Sequence, residues 1–256
     1  MSKEPSSFAS TARRWRSQLV QVAAIVLLVL VGKGAVAEQF YVPSPSMEPT
    51  LLIGDMLLAS KYPYGYGAAS LPIHVALPET GRLFGAMPKR GDVVVFRWPG
   101  DSSQVWVKRV VGLPGDHIQM RQGVLYINGQ PAALRADGVG RVEDDNGASE
   151  PARRYVETLP GGVSHTIFKM TDHGRLDDTP EVTVPKDRLF VMGDNRDNSA
   201  DSRVPLNEGG VGLLPTDNLV GRVDAIVGSW DFATKSQPVW TWLSGFRVAR
   251  FFSSVH

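Results

Sequence analysis

Residues 92–120 read DVVVFRWPGDSSQVWVKRVVGLPGDHIQM, and this stretch indicates the fold class. It contains three runs rich in β-branched and aromatic residues: Asp92 to Trp98, Gln104 to Val111 and His117 to Met120. Short runs of this composition, bounded by turn residues such as Pro and Gly, are typical of strands. The stretch therefore predicts successive strands of an antiparallel sheet.

Similar runs recur elsewhere, and few segments show a helical period. Further strands are predicted at Val124 to Ile127, Val182 to Val184, Arg188 to Met192 and Leu219 to Ser229. Asn128-Gly129 is a strong turn signal after a strand. The stretches Tyr62 to Lys89 and Ala136 to Arg154 are predicted to be surface loops or insertions. A mainly β fold follows.

Composition excludes several functional classes. The chain has 256 residues and a formal net charge of +1, so its charge does not indicate nucleic acid as a partner. It has no cysteine, which excludes disulfides, thiolate nucleophiles and Cys-ligated metals. No metal or nucleotide motif is present. We expect no cofactor.

The N-terminal region has the pattern of a membrane anchor. A polar tail, residues 1–18, carries four basic residues against Glu4 and precedes an apolar run from Leu19 to Val31. Extended to Ala37, the run would form a helix of about 28 Å, enough to cross a bilayer core. The basic flank predicts a cytoplasmic N-terminus, with the rest of the chain outside. A cleavable signal peptide is the alternative, because Ala35-Val36-Ala37 has a small-x-small cleavage pattern.

Lys108 is a candidate catalytic base. A serine nucleophile needs a base, and none of the five histidines stands in a triad-like sequence pattern. In the predicted strand VWVKRVV, the side chains of Trp106, Lys108 and Val110 share one face. Burial among apolar groups lowers the pKa of a lysine and makes it a usable base. The alternative is an edge-strand lysine with its ammonium in water.

Ser46 is the candidate nucleophile. It lies in VPSPSMEPT, residues 42–50, where three prolines restrict the backbone to extended or turn geometry. Ser44 and Ser46 would therefore be held in place, as a nucleophile and a nearby oxyanion donor must be. The alternative is a Pro-Ser linker without catalytic function.

A third motif, GDNRDNSADSR, occupies residues 193–203. Asp197, Ser199, Asp201 and Glu208 match positions 1, 3, 5 and 12 of a calcium-binding loop. However, Ser202 stands where that loop needs glycine. The other interpretation is a polar loop of paired charges that supports a site and supplies a hydroxyl beside the lysine.

With these motifs in order, the chain resembles bacterial type I signal peptidases, the membrane-anchored Ser/Lys proteases that remove signal peptides from exported proteins. The matching segments are Ser44 to Asp55 (SPSMEPTLLIGD), Lys89 to Phe96 (KRGDVVVF), Val107 to Asp116 (VKRVVGLPGD), Gly193 to Arg203 and Leu219 to Arg222. The resemblance implies an N-terminal transmembrane helix, residues 19–37, followed by an antiparallel β-sheet catalytic domain. Residues 38–116 and 188–256 would form its core, and residues 117–187 a smaller, non-catalytic inserted β region.

The resemblance also implies the catalytic roles. Ser46 would attack the scissile carbonyl, and Lys108 would be the general base. Ser44 would donate its hydroxyl to the oxyanion, together with the backbone N–H of Ser46. Ser199 would orient Lys108. Pro45 departs from the glycine usual in the family, but the N–H of Ser46 remains.

Supporting and substrate-binding residues follow from the same resemblance. Two ion pairs would hold the site together, Asp194 with Arg109 and Asp201 with Arg203. The substrate would pair as an added strand. Its binding residues would be Phe40, Val42, Pro43 and Val107. Their pockets would admit alanine-sized side chains at the first and third positions before the cut.

The expected substrates are the signal peptides of preproteins, cleaved after Ala-x-Ala at the outer face of the cytoplasmic membrane. The expected partners are the lipid bilayer and, by proximity, the export translocon, with the enzyme a monomer. A noncatalytic membrane-anchored adaptor of the same fold is the alternative, although it would be expected to lose Ser46 or Lys108. A self-cleaving repressor would carry a helix-turn-helix in place of the apolar segment. A penicillin-binding enzyme would place its lysine three residues after the serine.

Overall fold

The computed structural model describes residues 15–16, 18–22, 36–70, 81–143, 149–232, 234 and 237–255. Most of the predicted anchor, residues 23–35, lies outside these ranges, as do residues 71–80 of the predicted insertion. Residues 18–22 and 36 are helical, and the first strand already begins at Ala37. Within the described ranges, the structure contains no helix with the length and hydropathy that a bilayer crossing needs.

The described chain is built from strands and short 3-10 turns. The strands are β1 (Ala37–Tyr41), β2 (Asp55–Ser60), β3 (Val93–Trp98), β4 (Asp101–Gly112), β5 (His117–Arg121), β6 (Val124–Ile127), β7 (Gln130–Pro131), β8 (Ala133–Glu143), β9 (Ser149–Thr158), β10 (Ser164–Lys169), β11 (Val182–Thr183), β12 (Arg188–Met192), β13 (Leu214–Pro215), β14 (Leu219–Ser229) and β15 (Ser253–Ser254). All pairings between these strands are antiparallel. The prediction of a mainly β, antiparallel fold is confirmed.

The largest sheet carries the strands on either side of the candidate lysine. Its order is β1-β2-β14-β3-β4-β12-β13, and β15 also pairs with β14. Strand β4 therefore lies between β3 and β12, with Lys108 directly opposite Val94. Alternation along β3 and β4 places β-branched side chains in the buried layers on both sides of the sheet.

Two smaller sheets are formed by strands within residues 117–187. One has the order β11-β5-β6-β7, and the other has the order β10-β9-β8. Asn128 and Gly129 connect β6 to β7 with φ values of 53° and 77°. This left-handed pair is the conformation that a tight hairpin turn requires, as the sequence predicted.

The prediction of a loop over Ala136 to Arg154 is wrong. Strands β8 and β9 pair from Ala133 opposite Thr158 to Glu143 opposite Ser149, with one irregularity after Ala136. Most side chains of β8 are exposed or half-buried, and Val142 is the strand's one buried residue. The alternation that reveals a half-buried strand is consequently missing from this hairpin.

One contact outside the sheets joins the three-stranded sheet to the loop that follows β12. Phe168 of β10 forms an isolated parallel bridge with Asn195. The backbone N–H of Phe168 donates to the Asp194 carbonyl (2.9 Å), and that of Arg196 donates to the Phe168 carbonyl (3.0 Å). Strand β10 therefore holds the third sequence motif against the main sheet.

Candidate active site

The segment around Ser46 is a rigid turn. Ser44 is extended, and Pro45–Met47 form one turn of 3-10 helix, which the fixed φ of Pro45 favours. Met47 and Leu51 are completely buried in the main core, and each such side chain contributes roughly 1.5–3 kcal/mol. Ser46 is held next to these anchors and is 8% exposed. The linker alternative is therefore wrong.

Lys108 points from the middle of the sheet at this serine. Lys108 is only 4% exposed, and its amine lies against the buried Ser46 and close to the Trp106 ring. Its Nζ lies 2.7 Å from Ser46 Oγ and donates to the Val107 carbonyl at 3.0 Å. The alternative of a solvated edge-strand lysine is wrong.

The environment of Lys108 favours a neutral amine. Burial lowers the pKa of Lys108 to about 8, although Asp201 and Asp194 oppose the change and Arg203 adds to it. With a pKa of about 8, roughly one molecule in ten has a neutral lysine at pH 7, against about one in three thousand for an ordinary lysine. The Trp106 ring, whose centroid lies 5.6 Å from Nζ, covers the amine on the groove side.

The two other predicted serines lie close by but differ in their contacts. Ser44 Oγ lies 3.2 Å from Ser46 Oγ. Ser199, which was predicted to orient Lys108, has a buried Oγ without a hydrogen-bond partner among the described residues, so it makes no hydrogen bond to Lys108. Gly193 lies between Ser46 and Ser199, and a Cβ at this position would collide with both the Ser46 carbonyl and Ser199 Oγ.

Both predicted ion pairs are formed, and both are buried. Arg109 donates from Nε and Nη2 to the two oxygens of Asp194, each at 2.8 Å. Arg203 donates in the same way to Asp201, at 2.9 and 2.8 Å. Burial alone would raise the pKa values of these carboxylates, but the adjacent guanidinium groups lower them overall. Both aspartates therefore stay ionised and can order the site.

A groove of about 660 Å³ runs past the serine and lysine. Of the predicted substrate-binding residues, Phe40, Pro43 and Val107 line it. Val42 does not, because its side chain is 1% exposed and packs in the core beneath the groove. The remaining lining residues are Tyr41, Ser44, Pro45, Ser46, Leu57, Val95, Gln104, Val105, Trp106, Lys108, Asn198 and Ala200.

The calcium-loop alternative is wrong, because the carboxylates of the motif have separate partners. Asp197 accepts hydrogen bonds from two backbone N–H groups of the preceding loop, at 2.7 and 3.0 Å. Asp201 binds Arg203, and Glu208 lies 3.5 Å from Arg175. These groups do not converge on one point where a cation could bind.

Asn195 is a functional residue that the sequence did not single out, although it lies in the quoted motif. Its backbone N–H donates to the Ser46 carbonyl (3.2 Å), and its side-chain amide donates to the Pro45 carbonyl (3.3 Å). It is completely buried. The carbonyls of Pro45 and Ser46 are thus both held by one residue.

A second missed group lies behind the motif. Glu157 accepts hydrogen bonds from Arg196 Nη1 and Nη2, at 2.6 and 2.5 Å. His165 Nε2 lies 3.3 Å from Glu157 and 3.8 Å from Asp194. All four side chains are buried. No sequence signal indicated this group, because β9 was not predicted and His165 stands in no recognisable motif.

Comparisons with known proteins find the same family that the sequence motifs resemble. The sequence profile of the family described as "Signal peptidase, peptidase S26" matches residues 14–230. The signal peptidase I of Rickettsia canadensis (strain McKiel) is 34% identical over 269 residues, covering 96% of this chain and 94% of that protein. The signal peptidase I of Rickettsia typhi (strain ATCC VR-144 / Wilmington) is 32% identical over 265 residues, covering 96% of each. Among solved structures, a signal peptidase I from Enterococcus faecalis V583 matches with 26% identity and a TM-score of 0.31, over 54% of this chain and 97% of that one.

Proposed function

Since the chain belongs to the signal peptidase family, peptidase S26, and is therefore a serine endopeptidase that removes signal peptides from preproteins, we propose that Ser46 is its nucleophile and Lys108 its general base. The observation that best supports this proposal is the buried contact between Lys108 Nζ and Ser46 Oγ, which lie 2.7 Å apart. A lysine whose pKa is about 8 has enough neutral amine near pH 7 to accept the serine proton.

In the acylation step, Ser46 Oγ attacks the scissile carbonyl carbon while its proton passes to Lys108 Nζ. The negative charge on the carbonyl oxygen is stabilised by the Ser44 hydroxyl and the Ser46 backbone N–H. The carbon–nitrogen bond then breaks, and the Lys108 ammonium returns its proton to the leaving amine. In the second round, water attacks the acyl carbon while its proton passes to Lys108. The bond to Ser46 Oγ then breaks, and the Lys108 ammonium returns the proton to Ser46 Oγ as the carboxylate product leaves.

The substrate would bind as a strand between β1 and β4. In the described structure, β1 pairs only with β2, and β12 pairs with β4 only beyond Val107. The backbone groups of residues 104–107 on that edge are thus available for an added strand, except for the Val107 carbonyl, which already accepts a hydrogen bond from Lys108 Nζ. Phe40 and Val107 line the groove next to Ser46, and they would contact the side chains at the first and third positions before the cut, which we propose to be alanine-sized.

The proposed location is the outer face of the cytoplasmic membrane, with residues 1–18 in the cytoplasm and the apolar segment from Leu19 up to the start of β1 at Ala37 as the anchor. This rests on the apolar run and its basic flank. An aromatic contact connects the groove with the C-terminal segment that begins at Phe232. The ring centroids of Tyr41, which lines the groove, and Phe232 lie 5.6 Å apart. In that segment, Trp240 and Leu243 are 79% and 78% exposed. Exposed tryptophan and leucine suit a lipid interface.

We propose that the sheets divide the chain into a catalytic unit and a second, non-catalytic β region. Residues 38–116 and 188–256 would form the catalytic unit, and residues 117–187 the second β region. The enzyme would act as a monomer, close to the export translocon that delivers its substrates. Tethering both enzyme and precursor to one membrane would remove most of the diffusional search.

The test is cleavage of a preprotein with an Ala-x-Ala site by the full-length, detergent-solubilised chain, with the cut mapped by mass spectrometry. Ser46→Ala and Lys108→Ala serve as comparisons. Cleavage after the second alanine by the wild type alone is expected. Full activity of either variant would contradict the assignment, and inactivity of all three folded proteins would favour the noncatalytic adaptor.

A further inference from the structure

The three-stranded sheet places two buried ionisable side chains behind the nucleophile. Glu157 on β9 and His165 on β10 are direct cross-strand partners, so they lie side by side on one face. Glu157 is bound at both oxygens by Arg196, which belongs to the loop after β12. Removing one member of a buried ion pair would leave an uncompensated charge in the interior, which is strongly unfavourable. The Glu157–Arg196 pair therefore holds the three-stranded sheet against the loop that follows β12.

Backbone contacts tighten the same joint. Arg196 Nε donates to the Gly193 carbonyl at 3.3 Å, which closes the loop on itself. The Phe168 carbonyl accepts a hydrogen bond from the backbone N–H of Arg196, and the backbone N–H of Phe168 donates to the Asp194 carbonyl. Asn195 lies between these two attachment points. Its position is therefore determined by β10 and by the Glu157–Arg196 pair.

Asn195 transmits this order to the reacting atoms. It donates to the Pro45 carbonyl and to the Ser46 carbonyl. These carbonyls belong to the two peptide groups that flank the Ser46 Cα, one before it and one after it. A shift of Asn195 would move Ser46 Oγ relative to Lys108 Nζ, which now lies at 2.7 Å. Misplacement of reacting groups by about 1 Å can cost roughly 10²-fold in rate.

We propose that Glu157 is a positioning residue for the nucleophile, acting through Arg196 and Asn195. The inference rests on the proposed role of Ser46, and it gives the second β region a part in catalysis. Glu157 touches neither the groove nor the substrate. Its loss should therefore lower kcat and leave substrate binding unchanged.

Glu157→Gln in the full-length, detergent-solubilised chain tests this, because it removes the charge and keeps the volume. We expect kcat to fall by about 10- to 100-fold, while KM changes by less than about twofold. Asp177→Asn is the matched control. It breaks another carboxylate–cation contact of β10, in which Lys169 Nζ donates to Asp177 Oδ1 at 2.6 Å, and Asp177 has no contact with residues 193–196. This control should lose stability but keep its kcat.

Rates are compared at a temperature where unfolding curves show all variants folded. Wild-type kcat in Glu157→Gln, or an equal fall in kcat for both variants, would overturn the proposal. If Glu157→Gln does not fold, Arg196→Lys replaces it; this variant keeps the charge but loses the two-point contact, and the same split between kcat and KM is required. Ser46→Ala is assayed in parallel, since activity in that variant would instead refute the proposed function.

Discussion

Replacing Lys108 by methionine should abolish cleavage and yet stabilise the protein near neutral pH. Burial lowers the pKa of this lysine from 10.5 to about 8, which corresponds to about 3 kcal/mol at 1.36 kcal/mol per pKa unit. At pH 7 the folded wild type mostly holds a charged amine in a dry site and bears that cost. Methionine fills a similar volume without it. The two hydrogen bonds that are lost reduce the net gain by about 1 kcal/mol each.

The pH dependence separates these contributions. Between pH 8 and 10.5 the unfolded state still binds the lysine proton and the folded state does not, so the stability of the wild type rises with pH. Relative to Lys108→Met, the wild type should gain about 2 kcal/mol between pH 7 and pH 10. Other titrating groups are common to both proteins and cancel in the difference.

Urea unfolding of both proteins across this pH range measures the difference. In parallel, kcat/KM of the wild type should rise about tenfold per pH unit below pH 7 and reach half its maximum near pH 8. A stability difference that stays flat from pH 7 to 10, or a wild type that gains stability as the pH falls, would refute a buried lysine with a lowered pKa.

Three further outcomes are expected. Ser44→Ala should lower kcat by roughly 10²- to 10³-fold with little change in KM, measured by steady-state cleavage of a preprotein, because an oxyanion donor acts in the transition state; Ser44→Thr, which keeps the hydroxyl, is its control. Gly193→Ala should inactivate the folded enzyme, since the new Cβ would displace the Ser46 carbonyl, and wild-type turnover would contradict the close packing. The double variant Trp240→Ser/Leu243→Ser should bind lipid vesicles more weakly in a flotation assay while its turnover of a short soluble peptide stays unchanged; undiminished binding would argue against this segment as a lipid contact.

The sequence predicted several of the strands that are buried on at least one face. Arg188 to Met192 and Leu219 to Ser229 were predicted with the bounds that the structure has, because β-branched residues and turn signals mark them. The hairpin of β8 and β9 was missed because most of its side chains are exposed or half-buried, so its few buried residues produce no regular apolar alternation. Strand β2 was missed as well, since a short run such as DMLLAS has no alternation that distinguishes a strand from a helix.

At the site, residues of the quoted motifs were found together, as the resemblance implied, and residues outside them were missed. Ser46 and Lys108 stand 62 positions apart, and the resemblance related them before any geometry did. Glu157 and His165 could not be found in this way. Their role depends on a cross-strand register and on the docking of β10 against another segment, which are properties of tertiary structure alone.

The buried guanidinium groups have one more consequence. Arg109, Arg196 and Arg203 each match one carboxylate, so three positive and three negative charges cancel within the interior behind the dyad. These three pairs leave the charge of Lys108 unmatched. The counter-ions of this interior are parts of the chain and cannot be exchanged for dissolved ions. Added salt should leave the midpoint of the pH–rate profile in place, so the enzyme can keep one working pH range in media of very different ionic strength.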